Sequence, residues 1–261
     1  MKLAIITVNF RNQEETIACL RSLDKSNHRG LDLDYYVVDN ESTEVSRKAL
    51  SKSLPGITII SSPKNLGFAG GSNLAIRSAM RSKVDFVLLM NPDTLVESKD
   101  FLVNMVDEGA DLVAPVIKYR KKGKLVYDLG GQVDYLFGRN THIISDSQKS
   151  ASNRPDYFTG ACLLIKAEVF QKIGLLDEGF FLYFEDADFC LRAKKAGFTQ
   201  KLCSKAVLFH HLSTTTSQLG RKKLIILAES HLRFCLKHLP VISSPFYLAF
   251  NLFLRLKSFF P

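Results

Sequence analysis

Apolar runs recur through the first 120 residues, and most of the gaps between them carry helical spacing. Ile5 to Val8, Tyr35 to Val38, Ile57 to Ile60, Val84 to Met90 and Leu112 to Ile117 are the runs. Asn12 to Ser26 places Ile17, Leu20 and Leu23 on one helical face, and Gly70 to Met80 and Leu102 to Val106 read as further helices. A strand that is apolar at nearly every position must be covered on both faces, and helices between the strands supply that cover. The pattern predicts an α/β fold with a mostly parallel central sheet flanked by helices.

Beyond Ile117 the pattern changes. Lys118 to Lys124 reads as a charged turn, Leu129 to Tyr135 as a hairpin, and Asp146 to Pro155 as a polar loop. A strand is expected over Ala161 to Ile165, helices over Ala167 to Ile173 and Asp186 to Ala196, and two short strands over Gln200 to Leu202 and Ala206 to Phe209. A last helix is expected over Leu224 to Leu239, followed by an aromatic-rich tail from Pro245. The division that follows is a domain over 1–220 and a helical, basic-aromatic appendage over 221–261.

With 46% hydrophobic and 23% charged residues in 261, the chain is neither a disordered tail nor a low-complexity fibre. Its core can stand without disulfides. The five cysteines form no C-x-x-C pair, which fits a reduced, cytoplasmic protein and suggests neither a zinc knuckle nor a disulfide framework. Met1 to Asn9 reads as a first strand and not as a signal peptide. The apolar stretch from Phe246 to Leu254 is shorter than the roughly 20 residues of a spanning helix.

The net charge is +9, and residues 221–261 carry seven Lys or Arg against one Glu. Basic residues among aromatics suit an anionic surface, and a solvated helix face explains the same charges. A nucleic-acid binder would expose aromatics on a basic strand face, whereas here most aromatics sit in apolar runs.

Ligands of open parallel sheets bind beyond the carboxyl ends of the strands. Four polar clusters fall there: Thr7-Val8-Asn9, Asp39-Asn40-Glu41-Ser42, the stretch from Asn65 to Asn73, and Asn91-Pro92-Asp93. Asp39 suits a hydrogen bond from a base or a sugar hydroxyl, or else an N-cap of the next helix. Gly67, Gly70 and Gly71 suit a phosphate-facing helix start or an ordinary turn. A dinucleotide fingerprint does not fit, because Asn9-Phe10-Arg11-Asn12 follows the first strand without a glycine. Asp93 suits a divalent metal at a diphosphate, or a plain Asn-Pro-Asp turn.

Residues 177–188 hold five carboxylates and four aromatics, more aromatics than a solvated face would carry. Asp186 opens a helix and so can be held rigidly as a base. Glu185 can orient a substrate hydroxyl or cap the helix, and Asp188 with Arg192 at i+4 reads as a structural ion pair. His210 and His211 follow a strand and can complete a metal shell or form a surface pair.

In order, Thr7-Val8-Asn9-Phe10, Val38 to Ser42, Asn65 to Asn73, Asn91-Pro92-Asp93, Thr159-Gly160-Ala161 and Phe184 to Asp188 resemble the family 2 glycosyltransferases of the GT-A fold. The likeness is strongest to the bacterial rhamnosyltransferase-like branch and spans roughly Met1 to Ser213. It implies an inverting enzyme that uses a nucleoside-diphosphate sugar with Mg²⁺ or Mn²⁺. Asp39 would read the base beside Thr7 and Asn9, and Asn65, Gly67 and Asn91 would line the nucleotide cleft. Asp93 would hold the metal with His210, for which His211 is an adjacent rival, while Asn91 replaces the first acid of the family's Asp-x-Asp motif and leaves one fewer charge there. Asp186 matches the catalytic base, with Glu185 and Tyr183 on the acceptor side.

The reaction implied is transfer of a deoxyhexose, rhamnose from dTDP-rhamnose, to a cell-surface or lipid-linked glycan, at the inner face of the cell membrane. The alternatives are a UDP-sugar donor, carrying hexose or galactofuranose, and a non-catalytic nucleotide- or glycan-binding protein on the same scaffold.

Overall fold

The computed structural model describes residues 1–147, 155–211, 220 and 222–259, the last of these by its backbone alone. The first half alternates β1 (Lys2–Asn9), α1 (Gln13–Asp24), β2 (Asp32–Asn40), α2 (Glu44–Ser53), β3 (Thr58–Ser62), α3 (Gly67–Arg81) and β4 (Phe86–Met90). Next come β5 (Thr94–Val96), α4 (Phe101–Asp107), β6 (Leu112–Lys121), β7 (Lys124–Asp134) and β8 (Arg139–Ser145). The chain ends through β9 (Cys162–Lys166), α5 (Ala167–Ile173), α6 (Glu185–Lys195), β10 (Gln200–His210), α7 (Lys222–His238) and α8 (Ser244–Phe259).

All ten strands join one sheet, ordered β3-β2-β1-β4-β9-β6-β10-β5, with β7 and β8 continuing from β6. The strands β3, β2, β1 and β4 are parallel, as are β6 and β10; β9 enters antiparallel between β4 and β6. Alternation along β1 explains why the sheet is covered on both sides. Ala4, Ile6 and Val8 face the layer with α3 and α6, while Leu3 and Ile5 face the layer with α1, α2 and α4.

The order reverses beside β1: β2 and β3 step one way, and β4 returns on the other side. Such a reversal opens a crevice at the carboxyl ends of the two flanking strands. Because β9 is antiparallel, with Met90 opposite Cys162, its first residues lie at that same edge.

Several elements differ from the sequence expectation. The third helix begins at Gly67, not Gly70, so the glycines lie inside its first turns. Both α2 and the three-residue β5 escape a reading based on apolar periodicity: α2 buries only Ser46 and Leu50, and its start is set by a capping box between Thr43 and Ser46. β6 and β7 extend through the charged stretch, which narrows to a two-residue turn at Lys122 (φ 50°) and Gly123 (φ 80°). Positive φ at both positions matches the right-handed twist of a hairpin. Gly130 and Gly131 lie within β7, where its register to β8 shifts, and a Cβ on Gly131 would fall 2.1 Å from the Tyr157 ring. The two short strands are one strand, β10, with an irregularity between Cys203 and Val207. Most of the polar loop, residues 148–154, lies outside the described residues, as do Arg221 and Ser213.

The helix α7 is anchored to the rest of the fold by polar contacts, and Asn251 Nδ2 of α8 donates to its Ala228 carbonyl. Ser230 Oγ donates to the Leu182 carbonyl (2.8 Å), and His231 Nε2 lies 2.9 Å from the Phe137 carbonyl. Asp188, fully buried, meets Arg192 Nε at 2.8 Å and Lys237 Nζ and His238 Nε2 at 2.7 Å each. The Asp188–Arg192 pair expected within one helix is thus the centre of a bracket between α6 and α7.

Candidate active site

The four polar clusters meet at the carboxyl edge of the sheet. Asp39, ending β2, is buried and accepts from Asn9 Nδ2 (2.7 Å), Ser42 Oγ (2.6 Å) and Ser46 Oγ (2.5 Å). It is not the N-cap of α2; that place belongs to Thr43. Asn9 in turn accepts from Thr16 Oγ1 at 2.9 Å, so β1, β2, α1 and α2 are tied at one carboxylate. Thr7 stands one pleat back on β1, its hydroxyl buried without a partner among the described residues. Asp39 lines a cleft of about 310 Å³ with Arg11, Gln13, Glu41, Thr43 and Ser46.

The glycine-rich stretch is held by asparagines. Asn65 Oδ1 accepts from the Gly67 amide (2.9 Å) and from Asn40 Nδ2 (3.0 Å), while Asn40 Oδ1 accepts from the Leu66 amide (2.9 Å). Asn40 is therefore the clamp of this turn; the sequence reading quoted it within a cluster but gave it no part. Gly67 has φ +71°, and a Cβ there would sit 2.0 Å from the Phe181 carbonyl oxygen. A Cβ on Gly71 would press on Val8 Cγ1 at 2.9 Å, so this glycine lets α3 approach β1. Asn73 brackets the far end, donating to the Leu176 carbonyl and to Glu178, both at 2.9 Å.

Asn91 and Asp93 follow β4. Asp93 Oδ1 lies 3.1 Å from His210 Nε2, while Asp93 Oδ2 is buried with no partner among the described residues. β5 creates this meeting: it pairs antiparallel with β10, setting Thr94 opposite His210. His211 donates its amide to the Asp93 carbonyl (2.9 Å), but its ring packs edge-on to Phe209 and lines a different cleft. No cluster of three or more His, Cys, Asp or Glu side chains suited to a metal occurs among the described residues. An orphaned carboxylate oxygen beside an imidazole, with the Asn91 amide at the same turn, does fit a divalent cation that takes its remaining ligands from phosphate and water.

Asp186 sits in the first turn of α6. Tyr183 (φ 71°) and Phe184 (φ 68°) both adopt the left-handed conformation just before it. Two such residues in succession cost of order 1–3 kcal/mol each, a kind of strain that collects where side chains must be aimed. Asp186 accepts from the Gly160 and Ala187 amides, both at 2.8 Å. Burial raises its pKa above the ordinary aspartate value; those amides and the His142 charge oppose the rise. Burial raises Glu185 further, with the Asp186 charge adding to it, and Glu185 Oε2 has no partner among the described residues.

Asp186, Glu185, Tyr183, Asn91 and His210 line one cleft of about 650 Å³. Its opposite wall was not foreseen. Asp128 on β7 and Asn140 and His142 on β8 face the same space, as do Tyr119, Tyr157 and Lys223. Hairpin residues of this kind carry no motif; the only sequence signal was their alternation along a strand.

Known proteins resemble the chain in sequence and in fold. A family profile described as glycosyltransferase like family 2 matches residues 2–233. The chain is 28% identical over 214 residues to the low-salt glycan biosynthesis hexosyltransferase Agl10 of Haloferax volcanii, covering 80% of this chain and 67% of that protein. It is 25% identical over 256 residues to an N-acetylglucosaminyl-diphospho-decaprenol L-rhamnosyltransferase of Mycobacterium tuberculosis, covering 88% of this chain and 81% of the relative. Among solved structures, GalNAc-T7 with UDP, GalNAc and Mn²⁺ superposes with a TM-score of 0.63 at 13% identity, over 81% of this chain and 44% of that one. The structural likeness bears on the fold alone.

Proposed function

The chain belongs to glycosyltransferase family 2 and has the GT-A fold, and from that premise we propose that it transfers a deoxyhexose, rhamnose from dTDP-rhamnose, with inversion, to a cell-surface or lipid-linked glycan. That it is a glycosyltransferase follows from the family. The observation carrying the finer reading is that His210 and Asn91, beside Asp93, share one cleft with Asp186. A site for the donor's diphosphate and a base for the acceptor then face the same space. The rhamnosyltransferase among the relatives supports the choice of sugar.

In this reading Asp39 receives the base of the donor, with Asn9 fixing the carboxylate and Thr7 behind it. Asn65 and Gly67 shape the turn that lines the nucleotide, and Asn91 faces the sugar diphosphate. Asp93 and His210 would hold Mg²⁺ or Mn²⁺, which would supply positive charge beside the leaving diphosphate. Asp186 accepts the proton of the acceptor hydroxyl while that oxygen bonds the anomeric carbon and the carbon–oxygen bond to the diphosphate breaks, its electron pair leaving with the diphosphate. One displacement inverts the configuration, and no second nucleophilic carboxylate is required. A carboxyl whose pKa is raised by burial is a better match to this work near neutral pH than an exposed aspartate. Glu185 and Tyr183 lie on the acceptor side of the base.

Residues 1–220 are proposed as the transferase domain and 221–261 as an appendage that rests on anionic lipid. No helix among the described residues is long and apolar enough to cross a membrane. Tyr247, Asn251, Leu254 and Ser258 form the buried face of α8, whereas Phe246, Leu248, Leu252, Phe253 and Leu256 are exposed. Arg255 and Lys257 are exposed on the same helix, a distribution suited to a helix lying in the headgroup region.

Calorimetric titration with dTDP-rhamnose and with UDP-glucose, each with and without Mn²⁺, tests the donor. NMR of the product then reads its anomeric configuration. The expected result is Mn²⁺-dependent binding of dTDP-rhamnose and a product inverted relative to the donor. Binding of UDP-glucose alone would move the donor to a UDP-sugar, and binding of dTDP-rhamnose without transfer to any glycan would make the protein a binder.

A further inference from the structure

Opposite Asp186, the β7–β8 hairpin presents three polar side chains that the reaction described above does not use. His142 Nδ1 lies 2.7 Å from Asp128 Oδ2. That contact occupies one ring nitrogen, and Nε2, across the ring, has no partner among the described residues, although the side chain is 45% exposed at the cleft. Asn140, two residues earlier on β8 and so on the same face, has a buried Oδ1 without a partner among the described residues. Asp128 is itself buried and also accepts from the Gly130 amide at 3.0 Å, so the pair is fixed by backbone and not by chance rotamers. Tyr157 stands edge-on to the His142 ring at 6.2 Å, and Tyr119 lines the same space.

A fixed imidazole, an amide and two aromatic rings around one space have the chemistry of a sugar-ring site. Hydroxyls need paired donors and acceptors, and aromatic faces cover the ring's C–H surface. We infer that Asp128, Asn140 and His142 form the subsite for the acceptor sugar ring, with His142 as the residue that positions the acceptor hydroxyl before Asp186. This inference rests on the transferase reading of the same cleft.

The charges fit that placement. The hydrogen bond to Asp128 is the chief cause that raises the His142 pKa, burial opposes it, and the charges of Asp128 and Asp186 add to the rise. The His142 charge in turn favours the ionised form of Asp186. The other charged groups about Asp186 are Glu185 and Asp188 on its own helix, and Asp128 behind the imidazole on β7; Lys223 of α7 lines the same cleft.

The experiment uses the full chain with ¹³C-labelled histidine and octyl N-acetyl-β-D-glucosaminide as the acceptor probe. His142 is expected to titrate above the ordinary histidine value, and its Cε1 resonance to shift on adding the glycoside while that of His28, far from the cleft, stays still. In transfer assays, His142→Ala should raise the glycoside KM by tenfold or more and leave dTDP-rhamnose affinity within twofold. Asp128→Asn, which keeps the shape, should give a smaller KM rise and move the acidic limb of kcat/KM upward, because the imidazolium that supports ionised Asp186 is weakened. His142→Gln should restore part of the KM loss. A His142 resonance indifferent to saturating glycoside, or a glycoside KM unchanged in both variants, overturns the subsite. Nucleotide-sugar binding is read separately by calorimetry, so failure of the donor reading leaves a distinct signature: a responsive His142 in a protein that binds no nucleotide sugar.

Discussion

His210 Nε2 lies 3.1 Å from Asp93 Oδ1, although 117 residues separate them in the chain. The short strand β5 makes this contact, because its antiparallel pairing with β10 sets His210 opposite Thr94. Alternation along β10 then turns Phe209 to the other face, and the His211 ring follows Phe209. The two adjacent histidines, equivalent in sequence, are therefore unequal in space: one meets a half-satisfied carboxylate and the other meets an aromatic ring.

Asp93→Ala and His210→Ala are each expected to weaken Mn²⁺-dependent binding of the nucleoside diphosphate by tenfold or more, whereas His211→Ala should change it by less than twofold. Isothermal titration of dTDP in the presence and absence of Mn²⁺ measures this. Equal effects of the two histidine variants would dissociate the metal from the Asp93–His210 pair.

Asp186→Asn is expected to reduce turnover by about 10²–10⁴-fold, the usual worth of a positioned proton acceptor, with donor affinity within a few-fold. The asparagine keeps the size of the side chain and one oxygen to accept from the Gly160 amide, and an unchanged melting temperature separates loss of proton transfer from loss of the turn. In the wild-type protein the base is active when ionised, and burial raises its pKa above 3.8. Activity should therefore fall as pH drops through a limb lying above the ordinary aspartate range. A pH–rate profile flat down to the range of free aspartate would remove Asp186 from that role.

The parallel strands and the helix α1 were legible because their apolar residues recur at the periods of buried strands and amphipathic helices. The glycine stretch and the acidic cluster stood out as candidate sites because so many special residues crowd short segments, and the fold brings both to the carboxyl edge of the sheet. What the sequence concealed was set by tertiary pairing. β5 has three residues and no periodicity to show, yet it separates His210 from His211. Asp128 and His142 lie on paired strands whose register shifts at the glycine pair, and no local pattern predicts that shift. Of the two readings open for Asp39, a hydrogen bond from a ligand or a helix cap, the cap falls to Thr43 four residues later, a place that only the observed start of α2 reveals.

Asp188→Asn is expected to destabilise the protein by about 3–5 kcal/mol at pH 7, because it leaves Arg192, Lys237 and His238 gathered around a buried neutral group. Burial alone would raise the Asp188 pKa, but His238, Lys237 and Arg192 outweigh it and hold the group below its ordinary value. The ionised form is thus favoured by folding. Its contribution is fully present above the unfolded carboxylate value and is lost as pH falls through the lower, folded one. Denaturant unfolding of wild type and variant at pH 7 and at pH 3 checks this: the difference between them should shrink at the lower pH. A constant difference would mean that packing, not charge, supports the bracket between α6 and α7.

The exposed face of α8 should bind anionic lipid. Its apolar side chains, Leu248, Leu252, Phe253 and Leu256, are each about half exposed, and Val241 and Ile242 just before the helix are 84% exposed. Burying apolar surface is worth roughly 25 cal/mol per Å², so a cluster of uncovered apolar side chains on one helix gives such an interaction its driving force. The charge excess of residues 221–261 selects an anionic headgroup layer over a neutral one. The full-length protein should float with vesicles containing phosphatidylglycerol at low salt and much less at 0.5 M salt, where the screening length falls to roughly 4 Å. It should float poorly with phosphatidylcholine alone. The paired change Leu252→Glu and Phe253→Glu alters only exposed positions, so the melting temperature should hold while flotation is lost. Wild-type protein that stays in solution with anionic vesicles at low salt, and elutes as a dimer that the paired change dissociates, would assign this face to a second copy of the chain.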